Sequence, residues 1–243
     1  MFWTLLRRTA LVALTLVASC GSGDPDSSGS PSALRVLFIG NSHTQVNDLP
    51  DLVADMARAS GKTFEYDVEL RGGFGLEDHW GVGNAQRKIR EGDYDVVVLQ
   101  QGPSALPESQ ENLRQWGQTF AELIREHGGR PAFYMVWPSS DRAFDRDGVR
   151  TSYTNAAEAT DGILAPAGEV WREAWRTDRN LPLYDTDGVH GSLLGTYAAA
   201  LSVFGQLFGV SPVGVPAPAG IAPGVVTLLQ ESARVANEAY GRR

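Results

Sequence analysis

Five short apolar runs, separated by segments of helical periodicity, set the limits on how this chain can fold. RVLFI (35 to 39), DVVVLQ (95 to 100) and AFYMVW (132 to 137) are nearly continuous in apolar residues, as strands covered on both faces must be. FEYDVEL (64 to 70) alternates, which gives a strand with one poorer face, and GILAP (162 to 166) is a fifth short run. After the first run, Leu49, Leu52, Val53 and Met56 recur at helical spacing up to Gly61, with Asp48 as the expected N-cap and Pro50 in the first turn. A second helical region is expected from Leu76 to Arg90, interrupted by Gly81 and Gly83. Leu113, Trp116, Phe120, Leu123 and Ile124 make one apolar stripe closed by Gly128 and Gly129. Further helices are expected from about Val149 to Thr160, over GEVWREAW, from about Leu193 to Phe208 and from Pro223 onward. Such alternation calls for crossover connections, and hence for a parallel sheet of about five strands with helices on both faces. Residues 36 to 39 are expected as its central strand. Ligands of open sheets bind beyond the carboxyl ends of the strands. The residues after Ile39, Leu70, Leu99 and Trp137 are therefore the places to look for chemistry.

The start of the chain obeys a different rule. Arg7 and Arg8 precede an apolar run from Ala10 to Val17 that is too short to span a bilayer, so residues 1 to 19 read as a secretory signal. The ending VASC resembles a bacterial lipobox, which implies cleavage before Cys20, the chain's single cysteine, and its acylation. The expected location is extracytoplasmic, with the protein anchored to a membrane through that lipid and facing the periplasm or the cell surface. Residues 21 to 33, GSGDPDSSGSPSA, are too polar to bury surface and read as a tether reaching roughly 20 Å. The remaining stretch, 34 to 243, suits one domain with a sizeable core. An acylated Cys20 leaves no thiol for disulfides, thiol catalysis or cysteine-ligated metal. Loss of Arg7 and Arg8 with the leader moves the formal charge from -8 to -10, a balance that disfavours nucleic acid and anionic lipid as partners.

Three strand exits carry unusual residues: GNSHT after the first, RGGFG after the second and QQGPS after the third. A fourth segment, DGVH, lies much later, just before a helix. A serine becomes a nucleophile when a base removes its proton and donors stabilise the resulting oxyanion. Asp187 and His190, three apart in a turn, can supply an imidazole with a carboxylate to orient it, and Ser42 can supply the nucleophile. Gly72 and Gly73 can present backbone N–H groups, and Gln100 or Gln101 can add a side-chain donor. No His, Asp and Glu set has metal-ligand spacing, and no phosphate-binding Gly-x-x-x-x-Gly-Lys loop occurs, so no cofactor is expected.

These segments, in this order, resemble the SGNH hydrolase superfamily of GDSL-type esterases and lipases. GNS matches the first family block with Asn41 in place of the usual aspartate, and DGVH matches the last. The resemblance covers nearly all of residues 34 to 243 and implies a three-layer α/β/α, flavodoxin-like fold. It makes Ser42 the nucleophile, His190 the base and Asp187 its orienting acid. It makes the Ser42 backbone, Gly73 or Gly72, and a third donor the oxyanion hole. At the third block Gly102 aligns with the family glycine but Ser104 stands where asparagine is usual, which leaves the third donor open between Gln100 and Gln101. Asn41, His43 and His79 are expected on the substrate side, His79 beside Trp80, while His127 ends a helix.

The function implied is ester hydrolysis through an acyl-serine, with acetyl or other short acyl groups removed from carbohydrate at the cell surface. A lipase or aryl esterase of the same fold is the alternative, because loops such as 138 to 148 set the pocket. Two readings come from other classes. A flavodoxin-like module would cradle a phosphate with Ser42 and Thr44 but gives Asp187 and His190 no task, and an inactive glycan-binding lipoprotein would explain Ser104.

Overall fold

The computed structural model describes residues 1–2 and 33–243, so Cys20 and nearly all of the expected leader and tether lie outside the described residues. Within the unit Pro31–Arg243 the strands are β1 (Leu34–Gly40), β2 (Phe64–Leu70), β3 (Val96–Leu99), β4 (Arg130–Tyr134) and β5 (Ile163–Ala165). They pair in parallel in the order β2-β1-β3-β4-β5. The middle place falls to β3 and not to β1, which lies one strand off centre.

The strand sequences follow from these places. Val36 to Ile39 and Val96 to Leu99 are buried on both faces, which is why neither run alternates. β2 is an edge strand without a fully buried residue, so charged Glu65, Asp67 and Glu69 are tolerated along it. β4 begins at Arg130 and leaves the ladder after Tyr134, earlier than the run to Trp137 suggests. Its neighbour β5 has only three residues, so pairing ends there while Met135, Val136 and Trp137 stay buried. On the far side of β5, Leu164 N–H donates to Arg242 O at 2.8 Å, an isolated antiparallel bridge from the end of the chain.

Helices cover both faces. After the single turn α1 (Ser42–Gln45) come α2 (Leu49–Ala59), α3 (Leu76–Val82), α4 (Asn84–Glu91), α5 (Pro107–Glu126) and α6 (Arg146–Ala159), then α7 (Ala167–Thr177), α8 (Leu193–Phe208) and α9 (Pro223–Tyr240). α2, α7, α8 and α9 pack together on one face, and α3 to α6 on the other. The expected helix from Leu76 to Arg90 is two helices, broken at Gly83 by its φ of +88°. Asp48 sits at the N-cap position of α2 but makes no capping bond there. An N-capping side chain needs extended backbone, and Asp48 is left-handed with φ +49°, next to Asn47 at +55°. α8 is almost wholly buried, in keeping with its nearly unbroken apolar sequence.

Candidate active site

In this strand order the chain reverses direction between β1 and β3, and the crevice at that point is where such sheets bind ligands. The segments after both strands meet there. Gly40 closes β1 against the side chain of the residue that follows β3, since a Cβ on it would stand 2.5 Å from Gln100 Oε1. Asn41 then caps α1 by accepting from His43 N–H at 3.1 Å. Ser42 is thereby the first residue of a helical turn, whose backbone N–H has no partner inside the helix and none elsewhere among the described residues.

The second half of the site comes from the loop before α8. Tyr184 and Gly191 form an antiparallel bridge, and Gly188, with φ +68°, turns the chain between them. Asp187 Oδ1 accepts from the N–H groups of Val189 (2.8 Å) and His190 (2.9 Å), while His190 Nδ1–H donates to Oδ2 at 2.6 Å. The hydrogen bond from the His190 ring, followed by those two backbone donors, holds the Asp187 carboxyl down to about 2. Ser42 Oγ–H donates to His190 Nε2 at 2.8 Å, across 148 positions of sequence. The expected Ser42, His190 and Asp187 are therefore one hydrogen-bonded series.

Two neighbouring groups that the sequence did not single out hold this loop. Trp137 Nε1–H donates to Val189 O at 3.0 Å, and the indole stacks on Trp171 with ring centres 3.7 Å apart. Asn47 Nδ2 donates to Gly191 O at 3.0 Å and to Thr196 Oγ1 at 2.9 Å, tying the serine segment to the histidine loop. In the sequence these are a tryptophan closing an apolar run and an asparagine just before the expected N-cap Asp48.

Ser42 and His190 open onto a cavity of about 440 Å³, also lined by Asn41, His43, Gly73 and Gln101. Gly73 lines this cavity with φ +76° and a backbone N–H that bonds no acceptor among the described residues; Gly72 does not line it. The two glutamines differ. Gln100 is fully buried, its Nε2 donating to Asn41 Oδ1 (3.0 Å) and Gln101 O (2.6 Å), its Oε1 accepting from Asn41 N–H (2.9 Å) and Thr44 Oγ1–H (2.8 Å). Its amide has no donor left for a substrate, contrary to one of the two expectations for the third donor. Gln101 reaches the cavity, and its Nε2 donates to Ser104 Oγ at 2.8 Å. Ser104 lines the same wall with φ +57°, so the position where asparagine is usual faces the site with a hydroxyl bonded to that amide.

The histidines also separate. His43 lines the cavity, its ring 5.5 Å from that of His190 and 5.7 Å from that of Trp137. His79 is buried behind Gly40, with Nε2 2.8 Å from Gly40 O and its ring against Phe74, and it lines no cavity at the site. Its expected substrate-side place is thus corrected, because α3 packs it under β1. A second cavity of about 340 Å³ adjoins the first at His43, Ser104 and Val189, and its wall includes Leu106, Pro138 and Arg142.

An open parallel sheet in the order 2-1-3-4-5 with helices on both faces is the fold of the SGNH hydrolases, and this chain has that fold. No family model and no curated protein sequence matches it. Solved structures do. A DUF4886 family protein from Bacteroides uniformis matches with a TM-score of 0.72 at 21% identity, over 86% of this chain and 96% of that one. A candidate SGNH hydrolase from Slackia heliotrinireducens matches at 0.63 and 24% identity, over 72% of this chain and 100% of that one. The acetylxylan esterase Axe2 from Geobacillus stearothermophilus matches at 0.54 and 16% identity, over 72% and 94%.

Proposed function

We propose that this protein is a serine ester hydrolase that removes acetyl or other short acyl groups from carbohydrate outside the cytoplasm, held at a membrane through a lipid on Cys20. The observation that carries the chemistry is the hydrogen-bonded series from Ser42 through His190 to Asp187 at the mouth of the cavity. His190 Nε2 takes the Ser42 proton as Oγ attacks the ester carbonyl, and the N–H groups of Ser42 and Gly73 take the oxyanion. His190 returns the proton to the leaving alcohol, and a water activated by the same nitrogen then releases the acid from the acyl-serine. Asp187 keeps the imidazole in the tautomer that leaves Nε2 free to accept. The polar groups around the cavity and the acetylxylan esterase among proteins of this fold support a carbohydrate ester.

The purified protein is expected to hydrolyse p-nitrophenyl acetate and to be labelled by a fluorophosphonate on Ser42. Full turnover retained in Ser42→Ala would overturn the proposal. One observation favours a longer acyl chain: the adjoining cavity, walled in part by Leu106, Pro138 and Val189, has room for one. Acetylated oligosaccharides compared with esters of increasing acyl length decide between the two.

A further inference from the structure

We infer that His43 accepts a hydrogen bond from a substrate hydroxyl adjacent to the ester, so that the enzyme favours monoesters of vicinal diols, the unit repeated around sugar rings. This rests on the esterase reading above and adds to it the group that selects the alcohol.

The orientation of one amide fixes the tautomer. Phe74 O can only accept, and Asn41 Nδ2 donates to it at 2.9 Å, so Asn41 Oδ1 must face the other way. That oxygen accepts from His43 N–H and from Gln100 Nε2, whose own assignment is fixed by Gln101 O. It also stands 3.3 Å from His43 Nδ1. Two acceptors cannot share this contact, so Nδ1 carries the proton and the neutral ring presents a lone pair at Nε2. No protein group among the described residues bonds Nε2, and it is not among the sealed, unpartnered polar atoms. His43 lines both cavities at their junction, which leaves Nε2 to whatever occupies them.

What meets that lone pair must be a donor. The rings of His43 and His190 are 5.5 Å apart, and His190 is the group that protonates the departing oxygen. With the two rings this close, an alcohol whose ester oxygen meets His190 can offer a donor to His43 from a neighbouring carbon of the same ring, which describes a vicinal hydroxyl. Burial, and then the charge of His190, push the His43 pKa down to about 4, so the acceptor persists at neutral pH instead of becoming a second donor.

The test compares kcat/KM for trans-2-hydroxycyclohexyl acetate and trans-2-methoxycyclohexyl acetate, with fluorophosphonate labelling of Ser42 run in parallel. The wild type is expected to favour the hydroxyl ester by about tenfold, the worth of one such hydrogen bond. His43→Phe is expected to bring the ratio near one, and His43→Gln, which keeps an acceptor oxygen, to retain part of the preference. Equal rates on the two esters in a wild-type protein that is labelled overturn the assignment of His43. An undiminished ratio in labelled His43→Phe does the same. If His43→Phe does not fold, the wild-type ratio and His43→Gln carry the test. No labelling and no hydrolysis of either ester in the wild type is a different outcome, the failure of the esterase reading itself.

Discussion

Gln100 is fully buried, and four hydrogen bonds run through its amide and fix the backbone on which Ser42 is mounted. Replacing it with leucine keeps much of the volume and leaves Asn41 N–H and the Thr44 hydroxyl without their acceptor in a sealed place. Gln100→Leu is expected to lower unfolding stability by about 2–4 kcal/mol, read from the urea midpoint, because unpaired buried donors forfeit their full desolvation cost. An unchanged midpoint would show that the network is dispensable. His43 gives stability a pH dependence with a definite sign. Its pKa is near 4 in the folded protein and about 6.5 in an unfolded chain, so protons bind the unfolded state first as pH falls. The contribution of neutral His43 is complete above pH 6.5, declines between 6.5 and about 4, and is constant below. Midpoints measured from pH 7.5 to 4 should fall more steeply for the wild type than for His43→Gln, and parallel curves would refute this. Ser42, Asp187 and His190 fell into one group in the sequence because GNSHT, RGGFG, QQGPS and DGVH, in that order, resemble the blocks of the SGNH hydrolases. The sequence did not separate Gln100 from Gln101, which are adjacent, identical in chemistry and distinguished only by the turn beyond β3, which seals the first and leaves the second at the cavity.

At the level of elements, the site is two short segments borne by different supports. Ser42 is carried by a strand deep in the sheet, whereas Asp187 and His190 ride on a loop whose rigidity comes from outside itself. The aromatic stack of Trp137 on Trp171 lies under that loop, and Trp171 Nε1–H in turn donates to Gly195 O at the start of α8. Trp137→Phe keeps a ring in the stack but deletes the bond to Val189 O. It is expected to lower kcat on p-nitrophenyl acetate by about tenfold, with KM little altered, since a displaced base costs rate before binding. Loss in KM alone would mean that Trp137 shapes the pocket and not the loop. The inner strands and α8 were legible because burial all round writes itself as unbroken apolar sequence, and β2 because one poorer face makes it alternate. The true end of β4 was not, because Met135 to Trp137 are as apolar as the strand and only the shortness of β5 stops the ladder.

For the molecule as a whole, topology was legible from the alternation of strand and helix, since parallel strands require crossovers and crossovers here are helices. The place of β1 off centre was not, because order within a sheet depends on which face each crossover takes, and the apolar runs of β1 and β3 read alike. The order has a consequence at its two margins. An open sheet leaves two strands whose outer backbone groups could recruit another molecule, and the two are guarded by different means. β2 alternates with acids, so stacking copies along it would bring Glu65, Asp67 and Glu69 against their like. β5 carries no charge at all and relies on the last residues of the chain, where Arg242 takes both the N–H and the carbonyl of Leu164. Deleting Gly241 to Arg243 should therefore leave the distant serine site labelled as before while raising light scattering at concentrations where the full chain stays clear. A bulky group inserted beside Arg242 is expected to have the same effect, since the Leu164–Arg242 bridge occupies the outer backbone groups of β5.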